Sequence, residues 1–203
     1  MALENLPEKI ITINTNRPIW HRFFTVYPLV LIGSKEKNGE YNFAPKHLAI
    51  PISWDNYYGF ICTPRHTTYK NIQREGFFTV SYPRPSQILI TSLAAGSRTE
   101  DDIKPSLREI PTFKASRIDG VFVKDAYLYL ECELDRIIDG FGENSMITGK
   151  IVTAHIHDDS RRIMERDDHD LIKNSPLLVY LNEGRFAKIS ETYSFPFPVN
   201  FKK

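Results

Sequence analysis

The sequence predicts a mainly β fold, a β-barrel decorated by a few short helices. Short runs of apolar or alternating residues recur along most of the chain, and turn signals separate several of them. The chain has 203 residues, which is enough for one sizeable core but short for two full domains. It contains no internal repeat and no low-complexity segment. We therefore expect residues 1–203 to form a single domain.

The first half of the chain predicts several strands and one helix. The pair Asn38-Gly39 is a strong hairpin signal, because both residues tolerate a positive φ. The helix is expected to begin at a threonine cap and to end at Gly76, since glycine commonly terminates helices. The predicted strands span about 27–36, 40 onward, 57–63 and 77–83, and the helix spans about 67–76.

The second half predicts a helical cover followed by further strands. The polar section 86–109 includes SQILITSLAAGS, which suits a helix over one end of the barrel. Residues 126–139 and 145–158 alternate between apolar and polar, which indicates half-buried strands. The run 160–174 is charged and helix-like, which is typical of a solvated surface. A strand, a glycine turn and a short strand are expected in PLLVYLNEGRFAKI.

Composition and charge exclude several functional classes. Hydrophobic residues make up 41% of the chain and charged residues 25%, the balance of an ordinary soluble domain. The net charge of +1 argues against a general binder of nucleic acids or acidic membranes. No apolar run approaches a membrane span, and the N-terminus shows no secretory pattern. We expect a cytoplasmic protein with no nucleic-acid or membrane partner.

Two cysteines, Cys62 and Cys132, lie inside apolar runs that look like strands. Buried reduced thiols are the usual state of cysteines in such surroundings. A disulfide and a catalytic thiol remain as alternatives.

The stretch TPRHTTYKNI, residues 63–72, places basic and hydroxyl side chains at a corner between a buried strand and a helix. A helix N-terminus offers unpartnered N–H groups and the positive end of the helix dipole, so it attracts anions. Arg65 can grip a phosphate with its planar guanidinium. The other candidate donors are His66, Thr67, Thr68 and Lys70. The pattern favours a phosphate site, and a simple cap at Thr68 with Arg65 on the surface is the alternative.

A second segment, GEYNFAPKHLAIPIS, combines small, polar and proline residues just after a buried strand. Such a chain offers backbone groups to a flat ligand with little bulk at Ala44 and Pro45, and Asn42 could hydrogen-bond a ring edge. An edge strand with a bulge at Pro45 is the alternative.

The order of these features resembles the flavin reductase-like family of FMN-binding split barrels over roughly residues 20–190. The most specific parts are the Asn-x-Ala-Pro segment and the Thr-x-x-Asn-Ile helix start. The other matching pieces read PLVLIGSKEKNGEYNFAP, YYGFICTPRHTTYKNI, EGFFTVSYP, LYLECELDRII, SMITGKIVTAHI and SPLLVYLNEGRFAKI.

The resemblance implies a mainly β split barrel with a few flanking helices. It implies a homodimer that binds FMN, less often FAD, at the subunit interface, with NAD(P)H as a co-substrate. It places the flavin ring near Asn42, Phe43, Ala44 and Ser53. It places the ribityl chain and the phosphate near Thr63, Arg65, His66, Thr67 and Thr68, with Lys70 and Asn71 as weaker candidates.

The chain departs from the family in two places. Many members that use NADH carry a histidine before the Gly-x-Val strand, where this chain has Asn144 and Ser145. The resemblance therefore does not extend to that nicotinamide contact. The tail 191–203, which contains YSFPFPVNFKK, matches no general feature of the family. It covers the flavin pocket, clasps the partner subunit or packs on its own barrel.

No residue is predicted to be catalytic, because the flavin supplies the chemistry and the protein supplies position and electrostatics. His47 near the ring segment is more typical of a structural histidine. His155 and His157 lack a third ligand at a defined spacing, so no metal site is expected. The aromatic residues that could stack on a flat ligand, although a core role is more typical, are Trp54, Tyr57 and Tyr58.

Three functions remain compatible with the sequence. The first is an FMN-dependent oxidoreductase that transfers hydride from NAD(P)H to flavin and passes the electrons to an unidentified acceptor. The second is a flavin-binding electron carrier or redox sensor without turnover. The third is a split barrel that binds another ligand or only a protein partner.

Overall fold

The computed structural model describes residues 9–100, 103–182 and 184–199, and most of its regular structure is strand. The strands are β1 (Tyr27–Pro28), β2 (Val30–Lys35), β3 (Tyr41–Lys46), β4 (Ala49–Pro51), β5 (Tyr57–Cys62), β6 (Phe77–Tyr82), β7 (Thr112–Lys114), β8 (Val121–Val123), β9 (Leu128–Phe141), β10 (Asn144–Ile156), β11 (Leu177–Tyr180) and β12 (Phe186–Ile189). The α-helices are α1 (Thr67–Glu75), α2 (Ile88–Leu93) and α3 (Asp168–Asn174). Short 3₁₀ turns lie at Trp20–Arg22, Pro85–Gln87, Pro105–Glu109 and Asp158–Ser160.

One antiparallel sheet dominates the fold and curls on itself. Its strand order is β3-β2-β6-β9-β10-β5-β4, so β3 and β4 lie at opposite edges although they follow each other in the chain. Only His47 and Leu48 separate these two strands. Three Cα–Cα steps span at most about 11 Å, whereas a flat sheet of this size would put its edges about 29 Å apart. The two edges must therefore approach each other, as in an incompletely closed barrel.

The hairpin of β2 and β3 forms where the Asn38-Gly39 signal predicts it. Gly39 has a φ of 85°, and the Asn38 side chain accepts a hydrogen bond from the backbone of Glu40 at 3.0 Å. The two strands pair residue by residue from Val30 with Lys46 to Lys35 with Tyr41. Pro45 therefore lies in an edge strand, as the alternative interpretation proposed, but without a bulge.

The helix after the corner begins and ends almost where the sequence predicts. Gly76 ends α1 with a φ of 75°, and its N–H donates to the carbonyl of Ile72 at 2.9 Å. The predicted threonine cap is wrong, because His66 is the N-cap residue and its side chain makes no capping hydrogen bond. Thr67 is already helical. The first turn of α1 therefore has no side-chain cap on its N–H groups.

The main core lies between the curled sheet and α1. It contains large side chains from several strands, including Tyr58, Phe60 and Phe78, together with Ile72 of the helix. Gly149 is required where β10 crosses this core, because a Cβ there would lie 2.6 Å from the Phe78 ring.

The hairpin of β9 and β10 is long, and its turn lies close to the corner. Ser145 pairs with Cys62, the last residue of β5, so the turn lies beside Thr63. Three register shifts interrupt the pairing of the two strands. These irregularities break the simple alternation that the sequence predicted, and Thr148 is buried beside Ile147.

The segments around the sheet differ in part from prediction. The section 86–109 contains α2, the 3₁₀ turn Pro105–Glu109 and the end of the 3₁₀ turn Pro85–Gln87, as a helical cover predicts. The helix predicted over 160–174 is too long, because α3 begins only at Asp168. The Asp167 side chain accepts hydrogen bonds from the backbone of His169 and Asp170, which fixes this late start.

Both cysteines are free and buried, as the apolar runs around them predicted. Burial raises the pKa of the Cys62 and Cys132 thiols. None of the helices in the described parts of the chain is long and apolar enough to cross a membrane.

Candidate functional site

The corner between β5 and α1 brings together most of the side chains predicted to hold a phosphate. Arg65 and His66 are exposed on the turn before the helix, and Lys70 is exposed in its first turn. Thr67 lines a cavity of about 680 Å³ that also receives Arg65 and Lys70. The corner therefore presents cationic side chains, a hydroxyl and uncapped helix N–H groups to one space, the donor set that an anion requires.

Asn42 joins the predicted ring segment to this corner. Its side-chain nitrogen donates to the Thr68 hydroxyl at 3.2 Å, and both side chains are buried, each with 3% of its surface exposed. The side-chain oxygen of Asn42 has no hydrogen-bond partner among the described residues. A buried acceptor without a partner is costly. The junction of β3 with α1 therefore contains one buried acceptor that the described residues leave unsatisfied.

Arg65 lies between two cavities. On one side is the 680 Å³ cavity, and on the other is an open cavity of about 420 Å³ that Arg65 lines together with the β9–β10 turn. Its guanidinium lies 3.3 Å from the Glu143 carboxylate, and the Arg65 side chain remains 71% exposed. An exposed pair of this kind contributes little stability. Arg65 can therefore exchange Glu143 for a bound anion at little cost.

The 680 Å³ cavity is strongly basic. Among the described residues that line it, seven carry a positive charge and two, Glu36 and Glu40, carry a negative one. The cations come from the β2–β3 turn, from the corner and helix, and from the segment after α2. They are Lys37, Arg65, Lys70, Arg74, Arg98, Lys104 and Arg108.

Lys104 ties this cavity to the predicted ring segment. Its ammonium donates to the carbonyl of Phe43 at 2.9 Å and also to the carbonyl of Ala94. Burial, together with the charge of the neighbouring Arg98, lowers the pKa of Lys104 to about 8. A nearby anion would reverse that shift, because it favours the charged ammonium.

The pKa of the His66 imidazole also responds to burial and to the positive charges around the corner. Burial lowers the pKa of the imidazole, and the charges of Lys46 and Arg65 lower it further. A neutral His66 can still donate one hydrogen bond. The corner therefore carries positive potential before any ligand is bound.

The structure places the other predicted ring contacts, Phe43, Ala44 and Ser53, in different surroundings. Phe43 packs its side chain into a second core cluster and is 2% exposed, and its carbonyl accepts a hydrogen bond from Lys104. Ala44 is half-buried on the same edge strand. Ser53 lies before the start of β5 and Thr63 just after its end, which separates them by about 20 Å along the strand. Within one chain the structure does not bring Ser53 to the corner.

Two of the histidines mentioned above have structural contacts. The His47 ring lies 4.8 Å from the Tyr180 ring and 5.4 Å from that of Tyr27, as expected of a structural histidine. His155 is 3.1 Å from the Glu131 carboxylate. No cluster of three or more potential metal ligands occurs in the described residues.

Two of the aromatic residues that could stack on a flat ligand, Tyr58 and Trp54, lie in different surroundings. Tyr58 is fully buried and bonded to Tyr82, which is a core role. Trp54 is 100% exposed at the turn between β4 and β5. It therefore does not fill the core, and it makes no ring contact with another described residue.

The described part of the tail lies against α3, away from the corner. His169 Nδ1 lies 3.1 Å from the carbonyl of Thr192, and residues 192–195 line a cavity with α3. None of the described tail residues lines the basic cavity. Residues 200–203 lie outside the described residues.

Sequence reasoning missed the cations that the segment after α2 adds to the site. Arg98, Lys104 and Arg108 lie about thirty or more residues from the corner and belong to no local motif. Lys46, whose charge acts on His66, follows the Asn-x-Ala-Pro segment directly and could have been found there.

Comparison with known proteins identifies the family. A model described as the flavin reductase like domain matches residues 22–190, which is most of the chain. The protein belongs to the flavin reductase-like family. The resemblance read from the sequence is therefore confirmed.

Solved structures of three proteins share the family's fold with this chain. Nitrilotriacetate monooxygenase component B from Bacillus cereus is 18% identical, with a TM-score of 0.79 over 93% of this chain and 100% of that one. Flavoredoxin of Desulfovibrio vulgaris (Miyazaki F) is 16% identical, with a TM-score of 0.74 over 93% and 99%. An FMN-binding protein from Thermus thermophilus is 18% identical, with a TM-score of 0.72 over 91% and 99%. These likenesses confirm the predicted split-barrel fold.

The turn of the long hairpin contains Asn144 and Ser145, which stand where the family resemblance implies a histidine in many members that use NADH. Asn144 accepts a hydrogen bond from the Thr63 hydroxyl at 3.1 Å. Ser145 is buried and donates to the Asp139 carboxylate at 2.5 Å. The Asn144 side chain thus holds the turn against the corner, and the Ser145 side chain joins β10 to β9.

Proposed function

We propose that this chain binds FMN and acts as an oxidoreductase that uses NAD(P)H. The observation that carries the proposal is the junction of Asn42 with the α1 corner, where a buried unpartnered acceptor adjoins a set of anion donors. FMN has both complements, because its ribityl hydroxyls and ring N–H can donate and its phosphate is anionic. Membership of the flavin reductase-like family supports this assignment.

The residues of the corner would hold the phosphate. Arg65 and Lys70 would contribute charge, and Thr67 with the uncapped N–H groups of α1 would contribute hydrogen bonds. Thr63 and His66 would contact the ribityl end. Asn42 and the backbone of Phe43 and Ala44 would face the ring, with Ser53 as a further ring contact.

Bound FMN would supply the chemistry, accepting a hydride from NAD(P)H and passing electrons to an acceptor. The protein's part is electrostatic. Lys104 orients the Phe43 carbonyl behind the ring segment, and its positive charge favours negative charge developing nearby.

We further propose that two copies form a dimer with the flavin at their interface. Exposed apolar side chains on β4 and its flanking turns, Leu48, Ile50, Ile52 and Trp54, support such an interface. We place the protein in the cytoplasm, since its described cysteines are buried free thiols.

Anaerobic reduction tests the activity. NADH or NADPH added to the FMN-loaded protein should bleach the flavin absorbance many times faster than it bleaches the same concentration of free FMN. Equal rates with protein and with free FMN would contradict an NAD(P)H-dependent enzyme.

The second candidate is an electron carrier that binds FMN without NAD(P)H turnover. The observation that favours it is Asn144, which is bonded to Thr63 where many members that use NADH carry a histidine. Tight FMN binding combined with slow reduction by both nucleotides would support this candidate over the first.

A further inference from the structure

Lys46 is a half-buried lysine at the end of β3, close to the corner. Among the described residues, no carboxylate forms an ion pair with its ammonium. Lys46 does not line the basic cavity that holds Arg65 and Lys70, so it stands apart from the proposed phosphate donors. Its positive charge therefore suits a partner other than the phosphate.

The side chains of β3 alternate between two faces, and Lys46 shares a face with Asn42 and Ala44. The pairing of β3 with β2 has no interruption, so the alternation holds along the whole strand. Phe43 points into the second core cluster, whereas Asn42 is bonded to Thr68 of α1. Ala44 and Lys46 therefore face the side of the sheet on which α1 lies.

Two hydrogen bonds place Lys46 beside the corner. Asn42, four residues before it, is bonded to the first turn of α1. Leu48, two residues after it, accepts the N–H of Ile61 near the end of β5 at 2.9 Å. Residues 63–66 connect β5 to α1. The segment between the two bonds, which contains Lys46, therefore runs beside that turn.

The residues that flank this turn respond to the charge of Lys46. Burial is the main cause of the lowered pKa of His66, and the charge of Lys46 lowers that pKa further. Burial raises the pKa of the Cys62 thiol, and the same charge opposes that rise. Both effects agree with the strand geometry, which brings the ammonium close to the turn.

The nearest residue to Lys46 on the same face of β3 is small. Ala44 lies two positions away, about 7 Å along the strand, and its half-buried methyl group leaves space for a flat ligand. The Lys46 ammonium ends a flexible four-carbon chain. A ring packed on Ala44 would therefore have one edge within reach of this cation.

We propose that the Lys46 ammonium lies against the pyrimidine edge of the bound flavin ring and favours its reduced form. The inference rests on the proposed function, since it takes β3 as the ring segment. When NAD(P)H is oxidised to NAD(P)⁺, it transfers a hydride, which is two electrons and one proton, to a neutral ring. The reduced ring then carries one negative charge near N1 and the C2 carbonyl. Lys46 stabilises that charge and neither gives up nor takes a proton.

An equilibrium redox titration without NAD(P)H tests the inference. The midpoint potential of bound FMN is measured against a reference dye in the wild type and in two uncharged variants, Lys46→Gln and Lys46→Met. Each variant should bind reduced FMN about tenfold more weakly relative to oxidised FMN, which lowers the two-electron potential by about 30 mV. Lys46→Arg keeps the charge and should stay near the wild-type potential.

Lys188→Gln is the matched control, because Lys188 is exposed on β12, in a different sheet. It should leave the potential unchanged. Riboflavin at saturating concentration, used in place of FMN, separates a contact with the ring from one with the phosphate. The shift caused by Lys46→Gln should be as large with riboflavin, since the two flavins have the same ring.

Unchanged potentials in both uncharged variants, or equal shifts in Lys46→Gln and Lys188→Gln, overturn the inference. A shift that occurs with FMN and not with riboflavin also overturns it, because Lys46 would then act on the phosphate. Failure of the wild-type protein to bind either flavin is a different result, since it contradicts the proposed function itself.

Discussion

The side chains that define the candidate site come from segments far apart in the sequence. Asn42 meets Thr68 across 26 residues, and Lys104 meets Phe43 across 61. Both contacts fix the start of the predicted ring segment against elements that carry cations. The position of β3 relative to the corner is therefore set by buried polar contacts as well as by the apolar core.

Glu131 is a second buried polar group, away from the site. Its carboxylate is 0% exposed and accepts hydrogen bonds from the backbone of Ser116 at 2.8 Å, Arg117 at 2.7 Å and Ile118 at 3.1 Å. Burial alone would raise the pKa of Glu131, but these donors and His155 outweigh it and lower the pKa to about 2. The ionised carboxylate thus anchors the turn between β7 and β8.

The Glu131→Gln variant should lose about 2 kcal/mol of unfolding free energy at pH 7, because it removes a charge-assisted anchor. The folded pKa of about 2 lies below the ordinary 4.5. The stabilisation is therefore complete above pH 4.5 and disappears as the pH falls towards 2. Urea unfolding at several pH values measures the difference between variant and wild type.

Glu133→Gln is the control for this anchor, since Glu133 is exposed two residues further along the same strand. It should change stability by less than about 0.5 kcal/mol. A difference between Glu131→Gln and wild type that stays constant from pH 7 to pH 3 would contradict an ionised anchor.

At the scale of elements, local signals predicted the strands and turns well. Asn38-Gly39 fixes a hairpin and Gly76 ends α1, because both depend on backbone conformations available to few residue types. The helix starts that were predicted wrongly depended on which of several neighbouring polar residues occupies the N-cap position. His66 rather than a threonine occupies the N-cap position of α1 without a capping hydrogen bond, and Asp167 sets the start of α3 within a run of charges.

The turn between β4 and β5 carries a prediction about assembly. Trp54 is 100% exposed in the single chain, and exposed tryptophans commonly dominate the energy of an interface. Trp54→Ser should therefore weaken the dimer by about 2 kcal/mol, or about thirtyfold in Kd. Sedimentation over a range of protein concentrations measures this change.

Met164→Ser is the matched control, because Met164 is equally exposed but lies in the segment before α3. It should leave the association unchanged. A wild-type protein that remains monomeric at every concentration would contradict the proposed dimer, and equal behaviour of the two variants would remove Trp54 from the interface.

At the scale of the whole molecule, closure of the sheet was the property least accessible to sequence. Periodicity and turn residues indicate strands, but the pairing of β10 with both β5 and β9 depends on contacts across the whole chain. The same long-range arrangement brings Arg98, Lys104 and Arg108 to the corner. The corner itself was predictable, because its donors lie within eight consecutive residues.

The most direct test of a phosphate-anchored flavin site compares FMN with riboflavin, which lacks the phosphate. Both are titrated into the wild-type protein and into Arg65→Ala/Lys70→Ala, whose altered side chains are exposed. The wild type should bind FMN far more tightly than riboflavin. The variant should lose FMN affinity tens-fold or more and keep its riboflavin affinity. Equal losses for both ligands would place the phosphate elsewhere, and no binding of either would contradict a flavin site at this corner.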